Sequence, residues 1–234
     1  MDIRLAAIGL GTGLATLCGG AFALRARGHM GLLAGVGAGA LVAVALVDLL
    51  PEAHALAPGV SLLRLTSLTA AGFMSYLALG ATIDRTGEAR TGWTRHLGPA
   101  CLVLHSLLDG FGIGAAFAAS AAAGLVVGAA VLAHDLLDGA NTVTLGLSAR
   151  LSAAVARRWL VLDALAPLAG LALAQTARPS PGILTPLLAF FAGAFLYIGA
   201  ADLLPRARKE TRWAIGLALL GAAFVAGVVR LIGG

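Results

Sequence analysis

A six-residue pattern, His-x-Leu-Leu-Asp-Gly, occurs twice in this chain: His105-Ser106-Leu107-Leu108-Asp109-Gly110 and His134-Asp135-Leu136-Leu137-Asp138-Gly139. Each copy holds an imidazole and a carboxylate four residues apart, which on a helix puts them on one face with Cβ atoms about 5–6 Å apart. Two neutral imidazoles and two carboxylates make four donors of mixed hardness, a set that suits Zn²⁺ and also Fe²⁺ or Mn²⁺. The two negative charges offset a divalent cation. Because the donors must be deprotonated to bind, metal and protons compete for them. Both copies lie in apolar sequence, where ionisable groups are costly and mark transport, proton relay or metal binding. A purely structural pair of His–Asp hydrogen bonds is the competing reading.

Each motif has a polar neighbour one residue on, Ser106 and Asp135, rotated about 100° around its helix. These neighbours offer a second, adjacent position at which Asp109 and Asp138 would bridge. Asp163 is another carboxylate well inside an apolar stretch. For Asp135 and Asp163 a metal role and a structural one both stay open. Ser106, Asn141 and Thr142 are expected to bond helix backbone. Asp48 and Asp202 stand near the ends of apolar stretches, where ion guidance and interfacial solvation explain them equally. Glu52 and His54 are cation collectors or plain surface residues, and His29 and His96 read as solvated loop residues.

The elements that must carry these groups are membrane helices. The 234 residues are 59% hydrophobic and 12% charged, against about 25% charged in a soluble domain. Mean hydropathy is +0.95. A span needs about 20 mainly apolar residues, and spans are expected near 5–24, 31–56, 61–83, 99–120, 122–148, 158–175, 183–205 and 213–232. Met1-Asp2-Ile3-Arg4 lacks a strongly basic leader, and the apolar stretch after it is long enough to remain as a span. Cys18 and Cys101 have no CxxC spacing and read as small buried hydrophobes. The net charge of +5 and pI near 10.2 come from scattered arginines, so no nucleic-acid partner is expected.

Those basic residues test the parse. One side of the membrane receives Arg25, Arg27, Arg85, Arg90, Arg95, Arg150, Arg157, Arg158, Arg206, Arg208, Lys209 and Arg212. The other receives only Arg4, Arg64, Arg178 and Arg230. This bias puts the first set in the cytoplasm and both termini outside. Trp93, Trp159 and Trp213 fall at the same cytoplasmic interface. Glycines spaced by four, such as Gly31, Gly35 and Gly39, let helices approach closely. In chain order the marks run Asp48-Leu-Leu-Pro51, the two histidine motifs, then Asp202-Leu-Leu-Pro205. That order fits an inverted repeat around a central pair of spans, as in secondary transporters with sites near mid-membrane.

These segments resemble the ZIP (Zrt-/Irt-like protein) family of divalent-metal transporters. His105 to Phe117 looks like that family's fourth-span HNxxDGxAIGAAF, and Ala133 to Gly139 is similar to its fifth-span HExPEG. Ala192 to Pro205 resembles the seventh-span AGxFLYVxxxxLPE, and Asp48 to Glu52 the second-span LLPE. The resemblance implies an inverted 3+2+3 architecture, a metal site between the fourth and fifth spans, and alternating access of elevator or rocking type. It carries His105, Asp109, His134 and Asp138 over as primary ligands, with Asp135 at the neighbouring position. There are departures. Ser106 replaces Asn, Asp replaces Glu at 135 and 138, and Arg206 stands where LPE has its acid. The family's sixth-span Glu-Pro aligns with Ala166-Pro167, where Asp163, one turn earlier, is the substitute. The loop before the fourth span has His96 alone, without a His-rich sensor.

The expected fold is therefore an all-α polytopic membrane protein of one transporter domain, 1–234. It has eight transmembrane helices in an inverted 3+2+3 repeat and both termini extracytoplasmic. The expected function is transport of a divalent transition metal, zinc first with Fe²⁺, Mn²⁺ or Cd²⁺ as alternatives, toward the cytoplasm across the cell (inner or plasma) membrane. The metal residues are His105, Asp109, His134, Asp138, Asp135 and Asp163. The partners are the metal ion and the lipid bilayer, with a homodimer left open. No ATP motif is present, so the metal gradient or protons must drive transport. An intramembrane metal-dependent hydrolase using the same residues is the alternative, although no HExxH motif appears. A haem-binding electron carrier with His105 and His134 as axial ligands is the third, disfavoured by the Asp at each i+4.

Overall fold

The structure, a computed structural model, describes residues 3–85, 92–177 and 181–233. Arg90 and Arg178, two of the charges used for orientation, lie outside the described residues.

Ten α-helices follow one another: α1 (Ile3–Arg25), α2 (Met30–Ala43), α3 (Leu50–Leu56), α4 (Leu62–Arg85), α5 (Leu97–Ala119), α6 (Ala121–Ser148), α7 (Ala153–Thr176), α8 (Pro181–Leu196), α9 (Leu204–Glu210) and α10 (Ala214–Gly233). No strand occurs among the described residues. A π-helical segment, Val44–Leu49, joins α2 to α3, and another, Tyr197–Leu203, joins α8 to α9. Counting each joined pair as one, the described residues form eight long helices. By length and composition, Ile3–Arg25, Arg27–Leu56, Gly92–Ala118, Ala153–Thr176, Gly182–Glu210 and Ala214–Leu231 are apolar enough to cross a membrane.

The two π segments occupy matching places. Each ends directly before a Leu-Pro pair, Leu50-Pro51 or Leu204-Pro205. A proline inside an α-helix lacks the N–H for its i−4 bond, and its ring strikes that carbonyl. Just before each proline the turn is wider, with Leu50 N–H bonded five residues back to Ala45 and Leu204 N–H to Gly199, and the helix continues. This corrects the expected end of the seventh span near 205: the helix runs on to Glu210. Arg206 helps hold that turn, with Nη2 2.6 Å and Nε 2.9 Å from Asp202 Oδ1. The sixth span begins earlier than expected, at Ala153, because the Ser152 hydroxyl caps it by accepting from Val155 N–H at 3.3 Å.

The chain divides into two compact units, each assembled from separate stretches. The first takes residues 1–33, 95–178 and 227–234, and so is built on α1, α5, α6 and α7. Its crossings depend on glycine. A Cβ at Gly139 of α6 would land on the backbone oxygen of Thr16 in α1, and one at Gly19 of α1 on that of Leu136 in α6. The crossing of α5 with α7 repeats this reciprocity, Gly110 against Pro167 O and Gly170 against Leu107 O. Apolar clusters flank these crossings: Leu5, Ile113, Val131 and Leu171 in one, Ala23, Val143 and Leu160 in the other.

The second unit takes residues 34–94 and 179–226. There α4 meets α8 through Gly72 and Gly193, which face the backbone oxygens of Phe190 and Thr69. The α2–α10 crossing uses Gly39 and Gly221, facing those of Ala218 and Val36. Tyr197, at the head of the second π segment, packs edge-on against Phe73 of α4 with ring centroids 5.6 Å apart.

Two smaller expectations need correcting. Cys18 is exposed, although Cys101 is buried. His96 is not simply solvated: its Nδ1 accepts the indole N–H of Trp159 at 2.8 Å, which ties the start of α5 to α7.

Candidate metal site

The repeated motif places its residues as its spacing demands. His105 and Asp109 stand one turn apart on α5, His134 and Asp138 one turn apart on α6, and all four are buried. Immediately after each carboxylate comes the glycine on which its helix crosses a neighbour, Gly110 against α7 and Gly139 against α1. The close crossings thus fix both helices at the level of the site.

Two imidazole nitrogens and two carboxylate oxygens converge. Asp109 Oδ2 lies 3.3 Å from His105 Nε2 and 3.3 Å from His134 Nε2. Asp138 Oδ2 lies 3.8 Å from each of the same two nitrogens. The imidazole rings are stacked, with centroids 5.8 Å apart and planes inclined by 22°. Around a tetrahedral Zn²⁺ with bonds of about 2.0–2.1 Å, neighbouring donor atoms are about 3.3–3.4 Å apart. The Asp109 edges already have that length, and the Asp138 edges need a contraction of about half an ångström.

Asp135 joins this set. One ligand atom from each of Asp109, His134, Asp135 and Asp138 lies within 4.8 Å of the others, a grouping able to hold a metal ion. Both oxygens of Asp135 are buried and have no hydrogen-bond partner among the described residues, as is also true of the Asn141 side-chain nitrogen. A buried carboxylate without hydrogen bonds is expensive, and a cation beside it would offset that cost.

Asp163 is placed differently. It is fully buried on α7, and each of its oxygens accepts a hydroxyl: Oδ1 from Ser106 at 2.8 Å and Oδ2 from Thr142 at 2.6 Å. The backbone bonding expected of Ser106 and Thr142 thus gives way to this side-chain link. The residue types signalled polarity but not the pairing, since the partners are 57 and 21 positions from Asp163 in sequence. One turn beyond Asp163 comes Pro167, which cannot donate the helix bond to the Asp163 carbonyl. Four other polar candidates, Asp48, Asp202, Glu52 and His54, belong to the second unit. Asp48 and Asp202 are half-buried in the two π segments, and Glu52 and His54 are exposed on α3.

An all-helical protein with several helices apolar enough to span a membrane, and a buried His/Asp cluster able to hold a metal ion, is what fold and site define together. Over 106 residues, 45% of this chain, the sequence is 35% identical to the human (Homo sapiens) protein named Zinc transporter ZIP4. The chain covers 16% of that protein's length. No family model matches the chain.

Proposed function

We propose that this chain is a ZIP-type transporter of divalent transition metals, with zinc as its first cargo and Fe²⁺, Mn²⁺ and Cd²⁺ as alternatives, carrying metal toward the cytoplasm. The observation that carries the reading is the convergence of His105, Asp109, His134 and Asp138 between α5 and α6 at spacings close to a tetrahedral donor set, with Asp135 beside them. The resemblance to Zinc transporter ZIP4 and the apolar helices support it. In this reading residues 1–234 form one transporter domain with eight transmembrane helices, both termini extracytoplasmic, in the cell membrane.

The inverted 3+2+3 repeat has support beyond the recurring Asp-Leu-Leu-Pro. An inverted repeat exchanges α5 with α6 and α1 with α7, and the two reciprocal glycine crossings of the first unit exchange with them. The α4–α8 and α2–α10 crossings of the second unit correspond in the same way, as do the two π segments. Alternating access would then expose the α5–α6 site first to the outside and then to the cytoplasm. A hydrolase would need an activated water and groups to orient a scissile bond; the donor set is fully explained by holding the ion itself.

The experiment is initial-rate uptake of Zn²⁺, Fe²⁺, Mn²⁺ and Cd²⁺ into liposomes carrying the purified chain. Saturable uptake of any one supports the transporter and ranks its cargo. Folded protein that moves none of them overturns it.

A further inference from the structure

We propose that Asp163 is a positioning residue for the cargo site and not one of its ligands. The inference rests on the transporter reading and departs from the expectation that Asp163 substitutes for a missing sixth-span ligand.

The geometry is that of a clamp. Ser106 directly follows His105 on α5, and Thr142 stands one turn beyond Asp138 on α6. One carboxylate on α7 takes both hydroxyls, at 2.8 and 2.6 Å, and all three residues are fully buried. Rotating α5 about its axis to re-aim His105 would pull Ser106 from Oδ1, and rotating α6 to re-aim Asp138 would pull Thr142 from Oδ2. Asp163 is also absent from the groups of described ligand atoms that converge within 4.8 Å. The oxygens that would face an ion are turned toward hydroxyls.

A plain tie between helices does not need a charge. Burying a carboxylate costs more than burying an amide. An amide would accept one of the hydroxyls without that penalty. A carboxylate has a use that an amide lacks: its two oxygens accept both hydroxyls at once, so one side chain orients the two ligand helices. Groups bonded behind a metal's own ligands, when removed, typically weaken metal binding by about 10–100-fold without changing the ligands.

The test is Co²⁺ binding to the purified full-length protein in detergent, followed by the visible ligand-field spectrum and by titration. Asp163→Asn and Thr142→Val each keep side-chain shape. Both should weaken Co²⁺ by about 10–100-fold, with the native spectral shape at saturation. Thr142→Ser, which restores a hydroxyl, should recover native affinity. The double variant Asp163→Asn/Thr142→Val should lose less than the sum of the two single losses, since Thr142 acts through Asp163. If Asp163→Asn alters the spectrum while Thr142→Val does not, Asp163 is a ligand and the proposal fails. Affinities within twofold of native for both variants would reduce the clamp to a structural tie and overturn it equally. Should Asp163→Asn not fold, the Thr142→Ser and Thr142→Val pair decides alone. Failure of the transporter reading looks different: native protein that binds Co²⁺ would then move no metal into liposomes.

Discussion

Asp109 Oδ2 lies 3.3 Å from His134 Nε2 across the α5–α6 contact, the same distance that separates it from His105 one turn away on its own helix. One oxygen is thus shared by two imidazoles on two helices. Asp109→Asn keeps the volume but replaces an anionic donor with a neutral one, and His134→Ala removes a donor outright. Either change should abolish saturable metal uptake in liposomes while leaving membrane insertion and yield near native. Native uptake rates in either variant would remove the central site from the mechanism.

Asp135 predicts a trade between stability and function. Its two buried oxygens have no hydrogen-bond partner among the described residues. Asp135→Asn removes that unpaired charge, so the metal-free protein should become more stable by about 1–3 kcal/mol. That corresponds to a rise in thermal midpoint on the order of 2–10 °C for a chain of this size. Metal affinity should fall at the same time. Thermal unfolding in chelator, compared with unfolding in saturating Zn²⁺, reads both effects. A lower midpoint in chelator would show that Asp135 has partners which the proposed accounting omits.

Gly139→Ala and Gly110→Ala offer a steric test. Alanine is the better helix former by about 1 kcal/mol, yet its methyl would meet the backbone oxygen of Thr16 or Pro167. Backbone cannot swing aside as a side-chain tip does, so overpacking should cost about 1–3 kcal/mol and spread the helices. Both variants should show lower thermal stability and weaker metal binding together. Gly216→Ala, where a Cβ meets nothing within 4 Å, is the control and should be neutral or mildly stabilising.

Trp159→Phe separates stability from the site. It deletes the indole N–H that His96 accepts at 2.8 Å but keeps an aromatic body at the same place. The expected loss is about 1 kcal/mol of stability, with Zn²⁺ affinity unchanged. A change in affinity would mean that the α5–α7 tie at His96 reaches the cargo site.

How far the sequence discloses the fold differs from residue to residue. The i,i+4 spacing of His105 with Asp109 and of His134 with Asp138 was readable because a helix has one period, and the observed site keeps both pairs on facing helices. The second helix, expected at 31–56, runs from Met30 to Leu56 once its π segment is included. The π turns themselves left no trace. In a stretch apolar on every side, periodicity carries no register, and Pro205 read as a helix end. Arg157 and Arg158 read as loop, yet they sit within α7, since long basic side chains can reach the polar interface from inside a span. Asp163 was visible as a buried acid. Its hydroxyl partners on two other helices depended on tertiary placement, which residue types alone do not encode.

The π segments have a consequence for how such a chain tolerates change in length. A π turn holds one residue more than the helix around it can regularly seat. Deleting a single residue from Val44–Leu49 should therefore not break the second helix but heal it into uninterrupted α-helix. The cost appears downstream, where the Pro51 ring would meet the carbonyl four residues before it. The same holds for Tyr197–Leu203 and Pro205. At these two places the unit of variation is a residue together with its proline, and a shortened helix should regain function only when the proline is replaced as well.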